Sequence, residues 1–276
     1  MKVGVLGIPY DENSSFAKGP AGAPAAIFDV INNGSLNKTC ENGMLLEWGA
    51  NIIALPPVHI ASAEHFVDSI ESAVKSALMN GYQVLSIGGD HSVTYPIMRA
   101  IHAHYGAVNI VHFDAHPDLY HEFKGNAHSN ACPFARIMEQ GLAKSLHQFG
   151  IRTMNTHQAQ QAVKLGVVVN TMLNWSPKPP LLDGPIYISI DIDALDPAFA
   201  PGVSHREPGG LTTRDIINFI HALKGNVIGV DIVEYNPQKD IDNMTAYVAA
   251  KLLKEAAGKI LSTKAIHKQS SIPSHD

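Results

Sequence analysis

The chain has 276 residues, 45% hydrophobic and 16% charged, with a mean hydropathy of zero and a formal charge of −5. That length suffices for one large core, and a pI near 6.3 offers no basic field for a phosphate backbone, so nucleic acid is excluded as an expected partner. Cys40 and Cys132 cannot form a disulfide framework, "MKVGVLGIPYDENSS" is too broken by Gly and Pro for a secretory leader, and no later run approaches a membrane span. These features set the expectation of a soluble, cytoplasmic protein.

In chain order, short β-branched runs alternate with longer helical patterns, the signature of a mostly parallel sheet with helices on both faces, a three-layer α/β/α fold. The expected strands are Val3 to Ile8, Ile52 to Leu55, Gln83 to Ile87, Val108 to Phe113, His147 to Ile151, Ile186 to Ile190 and Val227 to Ile232. Several are apolar on both faces, as buried parallel strands are. In "SAEHFVDSIESAVKSALMNG", Phe66, Val67, Ile70, Val74, Ala77 and Leu78 recur at helical spacing, with Ser62 as N-cap and Gly81 where a C-cap would sit. A late helix is expected in "NMTAYVAAKLLKEAAGKI". With no repeat or linker, the reading is one domain over 1–262 and a flexible, Ser-rich tail over 263–276.

Four of these strands end in acids and imidazoles. The third runs into Gly88-Gly89-Asp90-His91-Ser92, the fourth into Asp114-Ala115-His116-Pro117-Asp118, the sixth into Asp191-Ile192-Asp193 and the seventh into Glu234. In an open parallel sheet the carboxyl ends of the strands share one edge, where ligand sites form, so four segments would deliver these groups to one cleft. Gathering several carboxylates without a cation costs far more than a domain's net stability, which points to a metal and, with this many ligands, to two. Two imidazoles and four carboxylates form an oxygen-rich, hard set that favours Mn²⁺ over Zn²⁺. If the segments stay extended, Asp191 and Asp193 share one face, and so do Asp114, His116 and Asp118. Other histidines, among them His102, His104, His157 and His221, lack such a setting and read as surface or packing residues.

At these residues the sequence resembles the ureohydrolase superfamily, that of arginase and agmatinase. The motifs are "GGDHS" (88–92), "FDAHPDLY" (113–120), "SIDIDALDPAFAPGVSHREPGG" (189–210) and "DIVEYNP" (231–237). "FARIME" (134–139), "GIRTMN" (150–155) and "MTAYVAAKL" (244–252) are most similar to the plant-type branch. The resemblance implies an arginase-like fold with a binuclear Mn²⁺ site, Ni²⁺ being an alternative, and a trimer or hexamer. It implies one metal on His91, Asp114, Asp118 and Asp191 and the other on His116, Asp114, Asp191 and Asp193. A hydroxide bridging the two would attack a linear guanidino substrate, arginine, agmatine or a close relative, releasing urea. Glu234 would bind the guanidinium as a carboxylate fork, and Asp118 would carry the proton to the leaving amine.

One loop departs from the family. Where the plant-type branch reads Ser-His-Ala before "FARIME", this chain reads "NAHSNACPFARIME", so Asn130 stands at the His position and His128 two residues earlier. Asn cannot titrate, although it can hydrogen-bond substrate. His128 moving in, a different substrate and weakened turnover are the three expectations this leaves. A formimidoyl or other amidine hydrolase, such as a formimidoylglutamase, and a guanidino-binding protein with weak activity are the alternatives. A two-metal phosphatase is disfavoured because no Lys or Arg accompanies the metal motifs. The loops that would read the far end of the substrate cannot be shaped from sequence, and Arg152 and Asn155 are as consistent with a structural role there as with contact.

Overall fold

Eight strands, all paired in parallel, form one sheet in the computed structural model, which describes residues 1–269. The strands are β1 (Lys2–Gly7), β2 (Ile52–Ala54), β3 (Tyr82–Ile87), β4 (Val108–Phe113), β5 (Ala143–Ile151), β6 (Val168–Thr171), β7 (Pro185–Asp191) and β8 (Asn226–Val233). Their spatial order is β2-β1-β3-β8-β7-β4-β5-β6. The four strands that end in acids and imidazoles, β3, β8, β7 and β4, are therefore contiguous at the centre, and the sheet itself brings their ends together.

The helices are α1 (Ala23–Asn33), α2 (Phe66–Met79), α3 (Thr94–Tyr105), α4 (Pro133–Glu139), α5 (Thr156–Leu165), α6 (Thr213–Ala222) and α7 (Met244–Gln269). They divide between two cores. Val111 and Phe113 of β4 join Ile27 of α1, Phe219 of α6 and Leu252 of α7, whereas Val108 and Ile110 join Ile70 of α2, Ile97 of α3 and Phe134 of α4. Alternation along one buried strand thus feeds both faces, which makes the fold three-layered.

Local details differ from the sequence reading. β6 lies at the edge, and its half-buried "VVNT" lacks the apolar run that marks the central strands. β5 starts four residues before His147, because Ala143 to Leu146 pair with β4 despite the exposed Lys144. Ser62 precedes a short 3₁₀ turn, Ala63–His65, and its hydroxyl meets His65 Nδ1 at 2.9 Å instead of capping the backbone. Asn80 closes α2, and Gly81 follows with φ of 81°, the left-handed conformation that glycine adopts freely. Residues 270–276 of the expected tail lie outside the described residues.

Candidate active site

His91 enters from the turn after β3. Asp90 begins that turn by accepting the Ser92 N–H at 3.0 Å, and burial beside Glu234 pushes its own carboxyl up to about 8. The fully buried His91 ring stands edge-on to Phe134 of α4, so the "FARIME" helix supplies a wall for this imidazole. Its Nδ1 lies 3.2 Å from Asp114 Oδ2, 3.1 Å from Asp118 Oδ2 and 3.2 Å from Asp191 Oδ2. On the far side of Asp114, Oδ1 lies 3.3 Å from His116 Nδ1, and Asp193 Oδ2 lies 3.1 Å from that same nitrogen. Asp114 Oδ2 thus faces His91 while Oδ1 faces His116, the arrangement a bridging carboxylate requires.

The six residues read from the motifs are brought together, but not by extended backbone. β7 ends at Asp191, and Ile192–Ala194 form a 3₁₀ turn in which the Asp193 N–H donates to Asp191 Oδ1 at 2.8 Å. Asp118 lies in a loop with φ of 52°. Turns, not strand alternation, aim these carboxylates inward. With Oδ1 holding that N–H, Asp191 faces His91 through Oδ2.

The hydrogen bonds fix which imidazoles can act as ligands. Ser189 Oγ donates to Asp231 Oδ1 at 2.6 Å, and Asp231 Oδ2 accepts from Thr94 Oγ1 at 3.0 Å and the Tyr187 hydroxyl at 2.8 Å. With its one proton used, Ser189 accepts from His91 Nε2 at 3.0 Å, which leaves a lone pair on Nδ1. That buried nitrogen has no hydrogen-bond partner despite three carboxylate oxygens around it. A lone pair aimed at the middle of an oxygen cluster fits a divalent cation.

His112 also stands against Asp114, forming a second compact group with His91, but it is not a ligand by the same logic. Gln148 Nε2 donates to the Pro117 carbonyl at 2.6 Å and to His112 Nδ1 at 3.0 Å, so His112 Nε2–H donates to Asp114 Oδ2 at 2.9 Å. Burial keeps this ring neutral, lowering it to about 4. His112 orients Asp114 from behind. Without a cation the carboxylates divide: burial and neighbouring charge push Asp118 up to about 7 and Asp191 up as well. Burial would raise Asp114 too, but hydrogen bonds from His112 and His116 and the adjacent His91 imidazole hold it low.

Beside this cluster lies a cavity of about 480 Å³ lined by His116, Asp118, Asp191, Asp193, Asn130 and Glu234. His91 and Asp114 are fully buried and do not line it. Ser15, Tyr120, Phe123, Ala131, Thr153, Met154, Asn155, Gln158 and His205 complete the wall. Glu234 follows β8 with φ of 64°, uncommon for a residue with a side chain, and its N–H is tied to the Gly89 carbonyl at 2.8 Å. Burial raises its carboxyl, although donation from Asn130 opposes this.

His128 is not brought to the cavity, which corrects the expectation that it fills the place of the loop histidine. Its ring packs against Phe66 and Tyr95, with centroids 5.5 and 5.8 Å away, because the loop turns it toward α2 and α3. Arg152 is a staple, its guanidinium donating to the carbonyls of Gly150, Asp193, Ala194, Leu195 and Glu207. Asn155 caps α5 and donates to the Tyr120 hydroxyl at 2.6 Å. His205 escaped the sequence reading, although it stands inside "VSHREPGG". Its ring meets that of His116 at 5.6 Å. Ser189 and Asp231 open two of the quoted motifs, but a polar residue within a buried strand gives no sign of its role until its partners are known.

Fold and site together define a class: an arginase-like α/β protein with a buried carboxylate–imidazole cluster at the carboxyl edge of its sheet, suited to hold cations. The chain belongs to the Arginase family, whose model matches residues 1–258. It is 43% identical to "Arginase 1, mitochondrial" of Arabidopsis thaliana over 93% of this chain and 80% of that one. It is 32% identical to "Agmatinase" of Bacillus anthracis over 92% and 90%. Among solved structures, arginase from Medicago truncatula superposes with a TM-score of 0.88 at 40% identity, covering 94% of this chain and 87% of the other. The chain is thus an arginase-family ureohydrolase, a hydrolase of the kind that acts on guanidino C–N bonds.

These relatives overturn the cytoplasmic expectation. Plant arginases at 42–43% identity are named mitochondrial or chloroplastic/mitochondrial. The physical reason is that free thiols and the lack of a membrane span fit a reducing organelle matrix as well as cytosol. Among the described residues no helix is long and apolar enough to cross a membrane.

Proposed function

We propose that the chain releases urea from arginine, with two Mn²⁺ ions held by His91, Asp114, Asp118, Asp191, His116 and Asp193. A pair of divalent cations there would supply activation of water at neutral pH. The oxygen-rich ligand set favours Mn²⁺, with Ni²⁺ second. Glu234 binds the guanidinium through its carboxylate, a charge-assisted contact worth more than a neutral one. His112, Ser189 and Asp231 hold the ligands in position, and Asp118, on the cavity wall, carries a proton to the leaving amine.

One observation carries the choice of substrate. Beyond the acid–imidazole cluster, Glu234 and His205, the lining residues offer neutral side chains: Ser15, Tyr120, Phe123, Thr153, Met154, Asn155 and Gln158. A neutral polar wall suits the zwitterionic, net-uncharged end of arginine. The lone ammonium of agmatine would find no carboxylate there, and the two carboxylates of a formimidoylglutamate would find no Lys or Arg among the lining residues. The test is a substrate panel with Mn²⁺, Ni²⁺ and Zn²⁺ compared in parallel. Urea from arginine well above that from agmatine is expected. Formamide from a formimino substrate, or agmatine as the better substrate, would refute it. The trimer or hexamer implied by the resemblance is part of this proposal, and light scattering of the metal-loaded protein checks it.

A further inference from the structure

Asn130 is buried, and both polar atoms of its side chain are hydrogen-bonded. Its Nδ2 donates to Glu234 Oε1 at 2.9 Å, and the His91 N–H donates to that same oxygen at 2.9 Å. Its Oδ1 accepts from the Ser15 N–H at 2.9 Å and from Ser129 Oγ at 3.3 Å. The Ser15 amide can only donate, so the oxygen must face Ser15 and the NH₂ must face Glu234; a flipped amide would satisfy neither. The backbone continues the clamp. Asn130 N–H donates to the Asn13 carbonyl at 3.1 Å, and Asn13 N–H donates to Asp90 Oδ2 at 3.0 Å. Segment 13–15 is thereby held against both the Asn130 loop and the end of β3.

We infer that Asn130 is a positioning residue for Glu234. Two donors on Oε1 fix the rotation of the carboxylate, and Oε2, which receives no hydrogen bond from the described residues, is left to take the guanidinium. Position 130 acts by geometry and not by moving protons, since an amide does not titrate and the neighbouring imidazole, His128, is turned onto Phe66 and Tyr95. This inference rests on the reading of Glu234 as the guanidinium anchor.

The test is steady-state kinetics on the full, Mn²⁺-loaded chain with Asn130→Ala, Asn130→Asp, Glu234→Gln and the double variant Asn130→Ala/Glu234→Gln. Asn130→Asp keeps the shape and the Ser15 contact but sets a carboxylate against Glu234, so packing cannot explain its effect. Both Asn130 substitutions should raise the arginine KM about tenfold with little change in kcat, as expected for loss of a charge-assisted hydrogen bond. Asp should be at least as harmful as Ala. The inhibition constant of ornithine, which lacks a guanidinium, should stay within about twofold. In the Glu234→Gln background, Asn130→Ala should add less than about twofold, because the two act as one unit. Ornithine weakening in parallel with arginine, Asp outperforming Ala, or effects that multiply independently would overturn the inference while sparing Glu234. Unchanged arginine kinetics in Glu234→Gln would overturn both readings.

Discussion

A Cβ placed on Gly89 would stand 1.8 Å from the carbonyl oxygen of Tyr10. The obstacle is backbone, and it is pinned, since the Tyr10 carbonyl accepts the Asp90 N–H at 2.9 Å. The glycine pair of "GGDHS" is therefore a matter of space: after β3 the chain must pass against residue 10 before it turns His91 inward. At Gly88 a Cβ would instead meet the methyls of Val233 and Val93. We expect Gly89→Ala to cost about 3 kcal/mol or more, the range of core overpacking against atoms that cannot yield. Thermal denaturation checks this, and a melting temperature within a degree or two of wild type would refute it.

The Ser189 hydroxyl links His91 to Asp231 and thereby sets which nitrogen of His91 carries its proton. Ser189→Ala breaks the link without adding bulk. Supporting hydrogen bonds of this kind are worth roughly 10- to 100-fold in metal affinity. Chelator competition should show weakened Mn²⁺ binding of that order, with the far-ultraviolet circular dichroism unchanged. Equal affinity in the variant would mean that the imidazole is oriented by Phe134 packing alone.

Legibility differed by residue for physical reasons. The four central strands were readable because burial on both faces demands unbroken apolar runs, and their acidic ends were readable because charges after such runs need a cause. Edge strand β6 was missed because one half-buried face leaves too little pattern in "VVNT". His91 and Asp114 stand out by motif, whereas Ser189, Asp231, His112 and Gln148 matter through partners far along the chain, and no local window reveals those. Residue 130 was located by register, but what its amide touches, Ser15 on one side and Glu234 on the other, is set by segments more than a hundred positions away. His128 turns onto Phe66 and Tyr95 instead, and spacing in a loop says nothing about which way a side chain points.

Away from the site, Glu255 of α7 is fully buried and accepts from Lys251 Nζ at 2.6 Å and from the Glu41 N–H, with His221 Nε2 at 2.9 Å. Burial pushes this carboxyl up, but Lys251 and its other partners outweigh that and hold it below its ordinary value of 4.5. A depressed acid contributes stability that is fully present above its unfolded value and is lost as pH falls through the folded one. Wild type should therefore lose stability on acidification below about pH 4.5. Glu255→Gln should be less stable by about 3 kcal/mol near neutrality, the scale for breaking a buried ion pair. The gap between the two should narrow in acid. Parallel curves of melting temperature against pH would contradict this.

Divalent cations should stabilise the fold by about as much as the substitutions described above cost it. Asp118, Asp191 and Asp193 are buried together with Asp114, and in the metal-free protein their mutual repulsion is offset by protons, by His91, His112 and His116 and by backbone N–H donors. A ligand that binds only the folded chain adds RT ln(1 + [L]/Kd), roughly 2.7 kcal/mol at a hundredfold excess over Kd. For a chain of this size that is a rise of roughly 5–10 °C in melting temperature. Chelator should reverse it. With four carboxylates against two imidazoles, Mn²⁺ should stabilise well relative to its weak place in the general affinity order, while Zn²⁺ should gain less than it does at sulfur-rich sites. Asp191→Asn keeps the volume and the acceptor for the Asp193 N–H but removes a charge that faces His91 at 3.2 Å. Its metal-dependent rise should fall by at least half, and its metal-free form should melt no lower than wild type, because one of the repelling carboxylates is gone. A variant that binds two Mn²⁺ per chain by elemental analysis, with an undiminished rise, would remove Asp191 from the ligand set.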